Sequence, residues 1–260
     1  MLRTILVTVF SLGFLAQVSA QTIGTSFYTV APHQAKAGEF YVNYETGYSV
    51  RAMRPFGEDG VEQRAGIVYG ISKNLNFLGM VGAVVDDNST VRVGAAQFEL
   101  MGSILSQKKN WVDLAVSVGY LREYLGTNVL MGRLALARQL GRASVQGNAV
   151  FEKPFAKNRD AVDIFTTFAA GYQIRNWLWA GMDAIGEDLE GFFEPDEAEG
   201  GAKVMFGPTV HVRISPKMKL RLGGGPIFYL TQSTPVSQAP RVLPPGKSGY
   251  TVRFSMIYGI

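Results

Sequence analysis

From residue 38 onward the chain alternates apolar and polar positions with a period of two, the signature of strands that present one face to each side of a sheet. The final segment, 249–260, shows it most plainly. Tyr250, Val252, Phe254, Met256, Tyr258 and Ile260 share one face, while Thr251, Arg253, Ser255 and Gly259 share the other. Eleven further segments read the same way, at 38–48, 63–71, 75–85, 92–105, 111–122, 128–139, 143–153, 161–174, 177–186, 203–214 and 218–230. Each is close to the ~9 to 11 residues with which a tilted strand crosses a bilayer.

The connections sort into two kinds. Short polar turns at 72–74, 106–110, 140–142, 175–176 and 215–217 alternate with longer connections, the longest at 187–202 and 231–248. Short turns on one rim and long loops on the other predict an all-β, antiparallel transmembrane barrel of about twelve strands, with both termini on the periplasmic, short-turn side. The first turns recur every ~34 residues, a spacing shared with helical repeat arrays. The internal period of two makes each repeat a hairpin instead.

Ahead of the barrel, Arg3, an apolar run at 5–15 and Val18-Ser19-Ala20 form an export signal with a small-x-small cleavage site. The run falls short of the ~20 residues a spanning helix needs. The expected organisation is therefore a signal peptide at 1–20, a periplasmic lead-in or an inserted plug at 21–37, and an outer-membrane barrel at 38–260. Expected partners are outer-membrane lipid, lipopolysaccharide, the barrel-assembly machinery and a small-molecule solute.

Composition narrows the chemistry. Without cysteine, no disulfide framework, thiolate metal site or cysteine nucleophile can form. The net charge of +4 comes from scattered residues, with no basic block beyond Lys108-Lys109, so nothing points to nucleic acid. No phosphate loop, HExxH helix or serine-hydrolase elbow occurs, and no cofactor or metal site is expected. The two histidines are weak candidates for catalysis. His33 precedes the first strand, and His211 faces inward near a turn.

The turn Tyr69-Gly70-Ile71-Ser72-Lys73-Asn74-Leu75-Asn76-Phe77 resembles that of outer-membrane proteins of the phenol meta-pathway transporter type, with weaker echoes at 172–178 and 212–220. The terminal strand resembles those that close bacterial outer-membrane barrels, with Ile260 where an aromatic residue is usual. The resemblance implies a barrel that passes small molecules and names no substrate.

Parity assigns Glu39, Glu45, Glu99, Asp113, Glu152, Asp163 and Asp183 to the lumen, with Arg64, Arg133, Lys203, His211, Arg213, Lys219, Arg221 and Arg253. Acids and bases in comparable number predict mutual ion-pair ladders, since unpaired charges in a narrow lumen are costly. Such an interior suits a narrow passage for weakly polar or hydrophobic molecules and equally a braced, non-conducting barrel; a lipid-modifying enzyme is a third reading. Gly207-Pro208 and Gly225-Pro226 lie nearly opposite one another in consecutive strands, and proline cannot donate to a ladder. They mark either a lateral opening or a curvature bulge. In the acidic loop at 187–202, Phe192-Phe193 could fold inward as a constriction, and the carboxylates could hold a cation or stay solvated.

Overall fold

The computed structural model describes residues 26–52, 55–85, 91–156, 162–187, 202–230 and 248–260. The expected export signal at 1–20, Phe192, Phe193 and the acidic run around them lie outside the described residues. Twelve strands form one sheet: β1 (Phe40–Val50), β2 (Gly60–Gly70), β3 (Leu75–Val85), β4 (Val91–Leu105), β5 (Asp113–Arg122), β6 (Asn128–Leu140), β7 (Ala143–Pro154), β8 (Asp163–Arg175), β9 (Leu178–Glu187), β10 (Lys203–Arg213), β11 (Met218–Tyr229) and β12 (Gly249–Gly259). Each strand pairs antiparallel with its sequence neighbours. β12 returns to β1 from Tyr41↔Gly259 to Val50↔Tyr250, closing the barrel. Closure leaves no edge of unpaired donors and acceptors, which hydrocarbon could not satisfy.

The alternation is realised as inside and outside. Along β12 every second residue is buried, and Tyr250, Val252, Phe254, Met256 and Tyr258 are exposed. β5 turns Val116, Val118 and Tyr120 outward and Ala115, Ser117 and Gly119 inward. An apolar exterior this continuous would drive association in water, whereas hydrocarbon is its natural solvent.

The inner face is less polar than alternation predicts. Phe56, with Ala52, joins Ile185, Met205 and Ile227 in a buried cluster against Tyr28, Phe165 and Tyr229, so the β1–β2 loop folds into the barrel mouth. Leu121, Val129, Met131 and Val150 form a second inner cluster, and Met101, Ala115 and Ala135 a third, packed by Val30 and Leu78. Inward apolar residues are stable there because protein, not water, fills the space against them.

Curvature has local causes. Gly94 adopts φ +106°, a conformation costly for any residue with a Cβ, where the β3–β4 register slips between Gly82 and Ala83. Between β10 and β11 the paired residues run out at Met205↔Ile227 and resume at Thr209↔Gly223. Pro208 and Pro226 both sit in that interval with outward exposure, while their strands stay paired to β9 and β12. The interruption is nevertheless shut sterically. A Cβ on Gly207 would collide with the Gly224 carbonyl, and one on Gly225 with that of Phe206.

Candidate functional site

Residues 26–39 lie inside the barrel and cross it before entering β1. The segment begins at mid-wall, where the Phe27 amide donates to Asp183 Oδ2 of β9 at 3.1 Å and Arg221 of β11 donates to the Ser26 carbonyl. It then meets β7: the Val30 amide donates to Asn148 Oδ1 at 2.7 Å, and Asn148 Nδ2 donates to the Val30 carbonyl at 2.9 Å. Ser103 of β4 donates to the Pro32 carbonyl at 2.9 Å, and the Ala35 amide donates to Asn76 Oδ1 of β3 at 2.8 Å. At the turn rim the Gly38 amide donates to the Gly70 carbonyl. Of the two sequence expectations for 21–37, the described part therefore occupies the lumen. No apolar run announces this placement; polar side chains on five separate strands create it.

The segment divides the interior. Toward the loop rim lies a cavity of about 150 Å³, bordered by Tyr28, Pro55, Glu62, Leu121, Tyr124, Met131 and Phe165. Toward the turn rim lies one of about 160 Å³, bordered by Thr29, Gln34, Tyr41, Asn43, Leu78, Arg221 and Ile257. Both are bordered by Phe27 and Val30 of the segment and by Arg64, Met80 and Gln97 of β2, β3 and β4, so the two volumes adjoin at the segment. A cavity of ~150 Å³ accommodates a body the size of benzene.

The wall formed by β12, β1 and β2 is a closed charge network. Arg253 pairs with Glu45 at 2.5 Å and with Glu62 at 2.8 Å; Arg64 pairs with Glu62 at 2.6 Å and stands 3.9 Å from Glu45. Tyr124, in the loop after β5, donates to Glu62 at 2.9 Å. Burial pushes its hydroxyl well above the usual tyrosine range, reinforced by the Glu62 charge, so it remains a donor. Arg253 also faces the Tyr28 ring at 5.5 Å, and the Tyr28 hydroxyl donates to the Phe56 carbonyl at 3.1 Å. Burial raises that hydroxyl too. The wall, the inserted loop and the lumen segment thus meet at one guanidinium. Farther round, Arg133 grips Glu99 through two nitrogens at 2.8 and 3.1 Å and passes a third bond to Asn148, which holds Val30. Ser117 and Gln97 complete the Glu99 carboxylate.

The other predicted lumen residues are dispersed. Asp183 receives the segment at Phe27. Lys203 pairs with Glu187 at 2.7 Å, and Glu152 stands opposite Asp163 in the register near the loop rim. Glu39 accepts from the Lys36 amide and the Tyr41 hydroxyl at the turn rim. His211, Arg213, Lys219 and Arg221 gather on β10 and β11, where His211 stacks on Trp179 with ring centroids 5.0 Å apart.

Asp113 meets the segment: its Oδ1 lies 3.3 Å from His33 Nε2, and Ser103 Oγ is 3.0 Å from His33 Nδ1. A serine, histidine and aspartate in contact invite a hydrolase reading. Here the Pro32 carbonyl, 2.9 Å from Ser103 Oγ, competes with the imidazole for the hydroxyl proton, and Asp113 Oδ1 also accepts the Gln107 amide at 2.6 Å. The cluster ties the segment to β4 and β5.

Sequence reasoning missed Glu62, Phe56, Tyr124 and the partition residues Phe27 and Val30. Glu62 shares the parity of Arg64 two residues on, but the alternation places the start of the second strand at 63, and the strand in fact begins at Gly60. Phe56 lies in a loop whose inward fold leaves no period. Phe192-Phe193, expected as the constriction, lie outside the described residues, and within those residues Phe56 takes the inward position.

No family model matches the chain, and no curated protein sequence matches it. Among solved structures it is similar to the NanC porin at 8% identity, over 84% of this chain and 100% of that one, with a TM-score of 0.58. It is similar to an outer membrane channel from Pseudomonas putida F1 at 13% identity over 92% and 100%, TM-score 0.57, and to the KdgM porin at 11% over 85% and 99%, TM-score 0.52. The likeness is one of fold: a closed antiparallel barrel of the outer-membrane type.

Proposed function

We propose that the chain, exported by residues 1–20, is an outer-membrane channel or passive transporter for small, weakly polar or hydrophobic molecules, with residues 26–37 as its gate. The divided lumen carries this reading. Two cavities, each of benzene-sized volume and lined by both apolar and charged groups, stand in series along the axis and share one thin partition. The names of the similar barrels, porins and an outer membrane channel, support the same role. The resemblance of the 69–77 turn to the phenol meta-pathway transporter type accords with the solute class. The mechanism is diffusion down a gradient, and none of its steps calls for a cofactor. The route is axial; a lateral exit would require β10 and β11 to part at Pro208 and Pro226, where Gly207 and Gly225 now pack backbone against backbone.

The segment is bound by separate small groups of contacts to β3, β4, β5, β7, β9 and β11, a design that yields piecemeal. A variant lacking residues 26–33, reconstituted in planar bilayers, should conduct severalfold more than the full chain. If both are silent, the channel reading fails. The fully paired wall and occupied lumen then favour the second reading, a non-conducting structural or surface-interaction barrel.

A further inference from the structure

In the β10–β11 register His211 stands opposite Arg221 and Arg213 opposite Lys219. Four bases therefore occupy facing positions on the inner side of two adjacent strands, near the 215–217 turn. Arg213 and Lys219 are like charges directly opposite, which destabilises a sheet, so the arrangement is costly unless something offsets it. For Lys219, Arg213 and His211 the described neighbours do not, whereas Arg221 donates to Ser255 and to the Ser26 carbonyl. Lys219 is 9% exposed and makes no ion pair or hydrogen bond among the described residues, and Arg213 makes no ion pair there either. Both ring nitrogens of His211, a residue 2% exposed, are buried without a partner. Glu39 acts on Lys219 electrostatically but is bonded to Lys36 and Tyr41. Glu45 and Asp183 are bonded to Arg253 and the Phe27 amide.

Aromatic faces surround the bases. Arg213 lies 4.9 Å over the Trp179 ring, and Arg221 lies 4.9 Å over Phe27. Arg221 also borders the cavity on the turn-rim side of the partition, together with Ile257, the β12 residue paired with Lys219.

We propose that this face of β10 and β11 is a binding site for the carboxylate of a small organic acid, with Lys219 and Arg213 holding the anion and the aromatic faces of Trp179 and Phe27 its apolar body. An anion placed between the facing bases turns repulsion into attraction, and a flat apolar body covers rings that already stack with cations. The site goes beyond the passage proposed above and does not depend on it.

The test uses the full chain folded in detergent, with tryptophan fluorescence as the readout and a Trp179→Phe variant to assign the signal. Three probes are compared: benzoate, benzyl alcohol and inorganic phosphate. Benzoate should bind at least tenfold more tightly than either of the others, and Lys219→Met should weaken it tenfold or more. Because Lys219 has no described partner, Lys219→Met should keep the melting temperature of the unliganded barrel or raise it. Equal binding of benzyl alcohol would remove the anion site, and equal binding of phosphate would remove the apolar body. Benzoate affinity unchanged in Lys219→Met, or a barrel that fails to fold without Lys219, would overturn the assignment. Benzoate binding by a protein that conducts nothing would sink the channel and leave the site standing.

Discussion

Two parts of the lumen wall carry inward arginines under very different conditions. On β12, β1 and β2, Arg253 and Arg64 are interlocked with Glu45 and Glu62, and every strand in that arc contributes a charge that its neighbour answers. On β10 and β11, Arg213 faces Lys219 with the same sign, and Arg221 stands beside them opposite the His211 imidazole. Period-two alternation treats Arg253 and Lys219 alike, as polar positions facing in. What separates them is the residue across the ladder, and the register decides that. The first wall is braced and the second is held under repulsion, so substitution should affect them in opposite directions.

The largest effect is expected at the centre of the braced wall. Arg253→Met leaves Glu45 and Glu62 buried together with a single remaining guanidinium between them and should destabilise by about 3 to 5 kcal/mol, read by urea unfolding in lipid vesicles. A cost near zero would show that the two walls do not differ. Next, Val116→Arg on the outer face of β5 should cost about 2 to 4 kcal/mol near mid-membrane, while Ser117→Arg on the inner face should perturb the Glu99–Arg133 pair instead. Equal tolerance at both positions would undo the inside and outside assignment on which the comparison rests. Arg213→Met on the repulsive wall removes the like charge facing Lys219 at the cost of the contact with Trp179, and should leave stability unchanged or raise it; a large loss would reveal a partner.

The smallest effect concerns Glu39, at the hinge between the lumen segment and β1. Partial burial works to raise its carboxyl, but the Lys36 amide, the Tyr41 hydroxyl and the Lys36 charge hold it below the usual carboxylate range. A depressed folded value means that its contribution is present above the ordinary carboxylate pKa of about 4 and is lost as pH falls through the folded value. Acidification should therefore lower the protection of the Lys36 amide relative to its intrinsic exchange rate, and Glu39→Gln should abolish that pH-dependent loss of protection.

The strands and their inner faces could be read from the sequence because membrane barrels impose two local rules, length and alternation, on every segment. Arg64, Glu99, Arg133 and Arg253 were placed by parity alone. What could not be read is non-local. Nothing near Val30 in the chain announces Asn148, and nothing near His33 announces Asp113. The ladder interruption at Pro208 and Pro226 was legible because proline lacks an amide proton wherever it sits. Its tight closure was not, since that depends on how two glycine backbones approach each other.

The lumen segment also bears on how the protein is made. Its bonds to Asp183 and Arg221 span 156 and 195 residues of sequence, among the longest reaches in the molecule, while the hairpins it must lie within close locally. Residues 26–30 emerge first during synthesis and can reach their final contacts only after β9 and β11 exist. Docking of the segment therefore waits on two strands from the far end of the chain, and its contacts complete late in the assembly of the barrel.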